Sequence, residues 1–120
     1  MIVKFTTTDA GRPAGKLADA ELHFGGRDRQ SGQQHLDGPL DGLKLIGFAV
    51  WERRGGKRGR NVTFPARQYS INGERRSFAL LRPIVDVAAS NRVRDLILDA
   101  FVEFEAEQAA ALTTTPKGGA

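Results

Sequence analysis

Residues 43–51, with the sequence LKLIGFAVW, form the most apolar run in the chain. A run of nine residues is short for a helix, and this one is rich in the β-branched and aromatic side chains that favour strands. Strands that are apolar at nearly every position lie in the middle of a sheet. We therefore predict that this run is the central strand of a β-sheet.

The segments before the run predict a hairpin. Residues 2–7 and 17–24 alternate apolar and polar side chains, which is typical of strands. The turn residues of DAGRPAG, at 9–15, lie between them. We expect two antiparallel strands that are joined by a long loop.

The segments after the run predict more strands. Residues 52–60, ERRGGKRGR, contain two adjacent glycines that predict a turn, and residues 61–65 form the return strand. Pro65 cannot donate a hydrogen bond to a neighbouring strand, so it ends this strand or lies at an edge or bulge. Asn72-Gly73 indicates a tight turn before a last strand at 75–81.

A helix follows these strands. Ser90 is the predicted N-cap of a helix over about residues 90–110, in which apolar residues such as Val93, Ile97 and Phe101 recur at helical spacing. The predicted fold class is α+β, an antiparallel sheet of about five strands with one C-terminal amphipathic helix packed on it.

The length and composition predict one domain. A chain of 120 residues with 40% hydrophobic side chains can fill one core. We assign residues 1–110 to this domain and predict a disordered tail at 111–120. Residues 25–42 contain almost no apolar side chains, which predicts a flexible loop or insertion.

The positive charge is concentrated in one part of the chain. Residues 51–94 contain eleven Arg or Lys against three acids, a net charge of +8, whereas the whole chain carries +4. The remainder therefore carries −4. Ten of the eleven cations are arginine, which favours bidentate contacts with phosphate and guanine. This polarity predicts a positive face that binds a polyanion: DNA, RNA or anionic lipid.

The basic hairpin at 52–60 is the strongest local signal for such a face. The alternative is that its charges only protect an edge hairpin from aggregation. We favour polyanion binding because further arginines lie elsewhere in the same part of the chain. The predicted nucleic-acid contacts are Arg53, Arg54, Lys57, Arg58, Arg60, Arg67, Arg75, Arg76, Arg92 and Arg94.

Other kinds of site receive little support from the sequence. His23 and His35 are the only histidines and there is no cysteine, so we predict no metal site and no disulfide. The chain has no nucleotide-binding loop and no pattern that pairs a nucleophile with a base, so we predict no cofactor and no enzymatic activity. Trp51 and Tyr69 could stack on bases, although burial in a core or rim is the commoner role of such aromatics.

The composition of the chain predicts where in the cell the protein lies. The N-terminal residues lack an apolar stretch of signal length, and no segment approaches the roughly 20 apolar residues of a membrane span. With no cysteine there is no sign of an oxidising compartment. We predict a cytoplasmic protein that does not bind membranes.

The order of these segments resembles the stage V sporulation protein G family. LIGFAVW at 45–51 lies where that family has its apolar strand, and FPAR at 64–67 resembles its Met-Pro-Ser-Lys/Arg segment. NGE at 72–74 resembles its Asp/Asn-Gly-Glu turn, and RPI at 82–84 resembles its His-Pro-Ile. The resemblance spans about residues 1–107, apart from the 25–42 insertion.

This resemblance implies a bacterial regulatory protein that binds DNA or RNA without a cofactor. It also implies a homodimer that forms through strands, and Arg67 matches the family's basic segment directly. We expect DNA more than RNA as the partner. The alternative hypothesis is a non-enzymatic protein-interaction or oligomer-forming module that binds an acidic partner.

Overall fold

The computed structural model describes residues 1–7, 13–29, 31–57 and 59–113, with backbone only at 54–57 and 113. The described chain forms six strands, one short 3-10 helix at Gly38–Leu40 and one α-helix. In chain order the strands and the α-helix are β1 Ile2–Thr6, β2 Lys16–His23, β3 Lys44–Lys57, β4 Arg60–Thr63, β5 Ala66–Ile71, β6 Glu74–Ala79 and α1 Ala88–Thr113.

The larger sheet is antiparallel, with the strand order β1-β2-β3-β4. The prediction that the apolar run forms a central strand is confirmed, because β3 pairs with β2 on one side and with β4 on the other. The predicted β1–β2 hairpin is also confirmed. Within the apolar run the buried residues are Phe48, Ala49 and Val50, in its C-terminal half, whereas Leu43 and Ile46 are exposed.

The core lies between one face of this sheet and α1. Phe48, Val50 and Val62 supply the sheet side, and Ile97 and Phe101 belong to the helix side. All five side chains are at most 3% exposed. Burial of such side chains contributes about 1.5–3 kcal/mol each, so this contact holds the helix on the sheet.

The helix begins earlier than Ser90, and the prediction of Ser90 as the N-cap is wrong. The Asp86 carboxylate accepts a hydrogen bond from the Ala88 backbone N–H at 2.9 Å, and the Asp86 carbonyl oxygen accepts one from Ala89. An aspartate before the first turn satisfies helix N–H groups that otherwise have no partner. Ser90 instead lies within the first helical turn.

Strands β5 and β6 form a second, two-stranded sheet that is separate from the first. The α+β class with one C-terminal helix is confirmed, but the strands lie in two sheets rather than in one sheet of about five. The break lies at Pro65, which follows β4 and packs against Gly47 of β3, where a Cβ atom would come within 3.0 Å of the proline. The chain therefore leaves the larger sheet at this residue, because Pro65 has no N–H with which to continue the pairing.

The turn after β3 lies later in the chain than the position that the glycine pair predicted. Gly55 and Gly56 belong to β3, which continues to Lys57, and Gly59 lies in the turn with a φ of +72°. The pairing with β4 shifts register between Glu52 and Lys57, since both pair with Arg60. The basic tip, which we define as residues 53–60, is thus largely an extended strand end rather than a short turn.

The segment at 25–42 contains more hydrogen bonds than its composition suggests. The Asp37 carboxylate accepts a 2.6 Å hydrogen bond from the Gly25 backbone N–H and lies 2.9 Å from the amino group of Met1. The hydrogen bond from Gly25 is the larger cause, and the positively charged amino group of Met1 adds to it. Together they keep the pKa of Asp37 below its usual value. Within the same segment, Arg27 and Gln34 form an isolated antiparallel bridge.

Candidate nucleic-acid interface

The basic part of the chain is divided between three places in the fold. The first is the basic tip between β3 and β4, and the second is the hairpin of β5 and β6, which we call the ribbon. The third is the N-terminal part of α1, whose second turn carries Arg92 and Arg94. Strand β4 connects the tip to the base of the ribbon, so the tip and the ribbon lie at opposite ends of this short strand.

At the basic tip, the structure describes only part of the predicted set. Arg53 is exposed, and its backbone N–H donates to the Gly59 carbonyl oxygen at 2.8 Å. Arg54 and Lys57 lie in β3, and their side chains are outside the described part of the structure. Arg58 lies outside the described residues altogether.

Arg60 is bound to the helix. Its guanidinium forms a two-point contact with the Glu105 carboxylate, with Nη1–Oε1 at 2.6 Å and Nη2–Oε2 at 2.7 Å. The same group lies 5.0 Å from the centre of the Phe101 ring, a cation–π contact. Because its side chain is only 24% exposed, Arg60 ties β4 to α1 rather than presenting its charge to solvent.

The ribbon is a regular antiparallel hairpin. Asn72 and Gly73 connect its strands with φ values of 52° and 82°, so the prediction of a tight turn is confirmed. Positive φ at both turn residues is the geometry whose twist matches the flanking strands. The turn pairs Ile71 with Glu74, and the pairing continues to Ala66 and Ala79 at the base.

The ribbon has two chemically different faces, because residues that pair directly lie on the same face. One face carries the pairs Arg67–Phe78, Tyr69–Arg76 and Ile71–Glu74, and we call it the apolar face. The other carries Ala66–Ala79, Gln68–Ser77 and Ser70–Arg75, and we call it the polar face.

The apolar face holds two of the predicted cations beside aromatic rings. The rings of Tyr69 and Phe78 meet edge to face at 5.7 Å between centres. Arg76 donates to the Glu74 carboxylate at 2.7 Å, and Arg67 is exposed at the base. Sequence reasoning missed Phe78 as the partner of Tyr69, although the turn at Asn72-Gly73 would have predicted the register that brings the two strands together.

The polar face presents Arg75 among small hydrogen-bonding side chains. Gln68, Ser70, Arg75 and Ser77 are all exposed, and hydroxyl, amide and guanidinium groups can donate to phosphate oxygens. This face therefore offers phosphate contacts, and its apolar side chains are the small Ala66 and Ala79 at the base of the ribbon.

The N-terminal part of α1 presents one exposed cation and one partly buried cation. Arg92 is exposed. Arg94 donates to the Asn91 side chain at 2.8 Å, and its guanidinium lies 5.4 Å from the centre of the Phe64 ring. Near these residues, a cavity of about 110 Å³ is lined by Phe64, Leu81, Arg82, Pro83, Ala89, Ser90 and Val93.

Cations on the larger sheet differ from those of the ribbon. On the sheet face away from α1, Glu21 accepts hydrogen bonds from His23 at 2.7 Å and from Lys44 at 3.2 Å, and Lys16 pairs with Asp19. These two hydrogen bonds, His23 first, lower the pKa of Glu21. Strand pairing also places Lys4 opposite Glu21 on this face, so the cations there lie beside acids.

The predicted stacking aromatics have different surroundings. Trp51 is partly buried, and its indole N–H donates to the Thr63 hydroxyl at 2.8 Å. Tyr69 is exposed on the ribbon beside two arginines. Tyr69 is therefore the more accessible of the two for stacking on a base.

The described residues hold neither a cluster of metal ligands nor a membrane-spanning helix. Within residues 1–7, 13–29, 31–57 and 59–113, no group of three or more His, Asp or Glu side chains could hold a metal ion. No helix of the described chain is long and apolar enough to cross a membrane.

Comparisons with protein-family models, with curated proteins and with solved structures found no match to this chain. The resemblance to the stage V sporulation protein G family therefore stays a prediction from short motifs.

Proposed function

We propose that this protein binds nucleic acid, without catalysing a reaction, through the polar face of the ribbon and the N-terminal part of α1. The observation that carries this proposal is the charge of residues 66–94, which contain six arginines but only two acids, Glu74 and Asp86. Asp86 caps α1 and Glu74 pairs with Arg76, so both acids are engaged locally. The exposed arginines create a local positive potential that attracts a polyanion.

The shape of the ribbon supports DNA as the partner. Two antiparallel strands are about 5 Å apart, and a two-stranded ribbon fits the major groove of B-DNA, which is about 12 Å wide. In double-stranded RNA the major groove is deep and narrow, so side chains cannot reach the bases through it. The polar face would place Arg75 at the DNA, with Gln68 and Ser70 beside it.

The basic tip adds a second contact region in this proposal. Arg53, Arg54, Lys57 and Arg58 would contact the phosphate backbone beyond the ribbon, which positions the protein without reading sequence. Arg60 is left out of this contact set because it is bound to Glu105. The salt dependence of binding should therefore reflect the other cations.

The first experiment is a fluorescence-anisotropy titration of the protein with labelled double-stranded DNA, single-stranded DNA and double-stranded RNA at several salt concentrations. We expect the double-stranded DNA to bind most tightly. Each phosphate contact contributes about 0.9 to the slope of log K against log salt. Arg75→Ala and Arg92→Ala should each reduce that slope by about 0.9, since each removes one exposed cation.

Arg29→Ala is the matched control, because it removes an exposed arginine from the 25–42 segment, outside the proposed surface. Its slope should equal that of the unchanged protein. Equal losses in all three variants would mean that only net charge matters and would contradict a defined surface. No binding at low salt to any of the three nucleic acids would contradict the proposal itself.

A protein-interaction module is the second candidate function, and the apolar face of the ribbon favours it. An acidic protein partner would bind there through apolar contacts and through Arg67 and Arg76, with a weaker dependence on salt than counterion release from DNA produces. For either function we propose a regulatory protein of the cytoplasm, because the chain has no cysteine. Membership in the stage V sporulation protein G family is part of the same proposal, supported by the motifs at 45–51 and 64–67.

A further inference from the structure

A cavity lies where the residue after β4, the segment after β6 and the start of α1 meet. Its volume is about 110 Å³. It is lined by Phe64, Leu81, Arg82, Pro83, Ala89, Ser90 and Val93. Phe64, Leu81 and Val93 are partly buried and pack against the core, so the sheet and the helix hold this part of the lining in place. All of the lining except Arg82 and Ser90 is apolar.

Aliphatic side chains beside this cavity are left uncovered by the described residues. Ile84 and Val85 are 99 and 94% exposed, and Val87 is 64% exposed. These three belong to the short segment between Pro83 and Ala89, and both of those residues line the cavity. An exposed apolar patch of this kind, next to a cavity, is typical of an interaction site.

The segments of the chain that the structure does not describe cannot fill the cavity. They are residues 8–12, 30, 58 and 114–120, with the sequences TDAGR, Q, R and TTPKGGA. None of them contains a Leu, Ile, Val, Met or aromatic side chain. A large apolar group that enters the cavity therefore comes from outside this sequence.

The charges around the cavity favour an anionic occupant. Residues 80–94 contain three arginines and one acid, Asp86. The Asp86 carboxylate is already engaged, since it accepts the hydrogen bond from the Ala88 N–H. Arg82 lines the cavity, is exposed and has no ion-pair partner among the described residues. A carboxylate of the occupant would find its partner in this guanidinium.

Nucleic acid fits this cavity less well than a peptide does. The lining offers a base only the hydroxyl of Ser90 and the guanidinium of Arg82 as side-chain hydrogen-bonding groups. A base that entered would lose hydrogen bonds between its polar edge and water, a cost that an aliphatic side chain does not carry. Contact with phosphate would also leave Ile84 and Val85 without an apolar partner.

We propose that the cavity binds an acidic peptide segment of a partner protein. One aliphatic side chain of the peptide enters the cavity, and an aspartate or glutamate beside it pairs with Arg82. A cavity of about 150 Å³ binds a molecule as large as benzene, so the smaller volume here suits one leucine or isoleucine side chain. The peptide residues on either side would cover Ile84 and Val85. Arg82 is not among the proposed nucleic-acid contacts, so this site goes beyond the function proposed above.

The first test selects a display library of random short peptides against the purified protein. We expect the enriched peptides to share a leucine or isoleucine beside at least one aspartate or glutamate. In a fluorescence-anisotropy titration of one such peptide, replacing its aliphatic residue by alanine should weaken binding by about tenfold or more, because that side chain is buried in the complex. Replacing its acid by the corresponding amide should weaken binding by about two- to fivefold. No enrichment, or enriched peptides that lack either group, would overturn the proposal.

Variants of the protein then locate the site. Ala89→Leu fills the cavity and should weaken binding of the same peptide by about tenfold or more. Ala109→Leu is the matched control, because Ala109 is exposed on α1 about 30 Å further along the helix, and its affinity should be unchanged. Ser90→Leu fills the cavity from the next position and provides the same test if Ala89→Leu does not fold. Arg82→Gln should weaken binding by about two- to fivefold, whereas Arg75→Gln should not.

Unchanged affinity in Ala89→Leu would show that the peptide binds elsewhere, for example to the apolar face of the ribbon, and would overturn the proposal. Light scattering identifies a second copy of the chain as the occupant. If the unchanged protein self-associates and Ala89→Leu does not, a second copy fills the cavity and the proposal is again wrong. The affinity of Ala89→Leu for DNA should equal that of the unchanged protein, so the peptide site and the proposed function fail separately.

Discussion

The two sheets of this protein differ in whether another element covers their apolar face. The larger sheet covers one face with α1, and its side chains at that contact, such as Phe48 and Ile97, are at most 1% exposed. The ribbon has the same alternation of apolar and polar residues, but Phe78 on its apolar face is 41% exposed. The same pattern thus produces a core where a helix is available and an open surface where it is not.

The arginines of the two sheets also differ, in whether other side chains engage the guanidinium group. Arg60 lies on the larger sheet, where Glu105 and the Phe101 ring engage its guanidinium. Arg75 lies on the ribbon and is exposed among polar side chains. An excess of cations in the sequence therefore does not by itself identify binding residues, because packing uses some of them to hold elements together.

The largest expected effect comes from deleting aromatic rings in the two sheets. Phe101→Ala should reduce the free energy of unfolding by about 3–5 kcal/mol, because it leaves a cavity in the core. Phe78→Ala should cost less than about 1 kcal/mol, because the ring is largely exposed. Urea denaturation measures both values.

Similar costs for the two substitutions would contradict this comparison. The ribbon would then be as firmly packed as the core, and the interpretation of its apolar face as an uncovered surface would fail.

A smaller effect is expected from the two ion pairs. In a double-mutant cycle, the Arg60–Glu105 pair should show a coupling of about 1 kcal/mol, because the contact is bidentate and partly shielded from water. The Arg76–Glu74 pair of the ribbon is exposed on both sides, and its coupling should be about 0.2 kcal/mol. Thermal or urea unfolding of the single and double alanine variants measures both.

If the ribbon pair couples as strongly as the Arg60–Glu105 pair, then exposure does not distinguish the two arginines. Arg60 would then have to be considered again as a nucleic-acid contact.

The smallest expected effect is a local response to pH in the 25–42 segment. The pKa of Asp37 is lowered by the hydrogen bond from the Gly25 N–H and by the amino group of Met1. The stabilisation by these contacts is therefore complete above the ordinary aspartate pKa of 3.8 and is lost as the pH falls through the lowered value. The NMR shift of the Gly25 amide proton should titrate with a midpoint below 3.8.

Asp37→Asn provides the control for this titration. The Gly25 amide should then show no such midpoint, because an asparagine side chain does not titrate. A midpoint at or above 3.8 in the unchanged protein would show that these contacts do not favour the charged carboxylate.

Much of the fold could be predicted from local patterns. The apolar run at 43–51 indicated the central strand, Asn72-Gly73 indicated a tight turn, and the spacing of Val93, Ile97 and Phe101 indicated the helix. These features depend on side-chain periodicity and turn conformation, which act over a few residues. The start of α1 was missed because both Asp86 and Ser90 are good capping residues, and only the hydrogen bond to Ala88 distinguishes them.

The candidate site could be predicted only as a set of cations. Arg67, Arg75 and Arg76 were identified from their charge, but their division between two faces of a ribbon follows from the register of β5 and β6. The sequence contains that register in the two-residue turn, and the pairing of Tyr69 with Phe78 could have been inferred from it. The role of Arg60 could not be inferred from the sequence, since Glu105 is 45 residues away in the chain.

The sequence by itself determined the elements of this protein, the concentration of arginine in residues 51–94 and the alternation of apolar and polar residues in the ribbon. Only the tertiary structure decided that the chain leaves the larger sheet at Pro65, that α1 covers one sheet and not the other, and that Arg60 binds Glu105. The physical reason is that periodicity and turn preference act between neighbours in the chain, whereas burial and ion pairing depend on which distant segments come into contact.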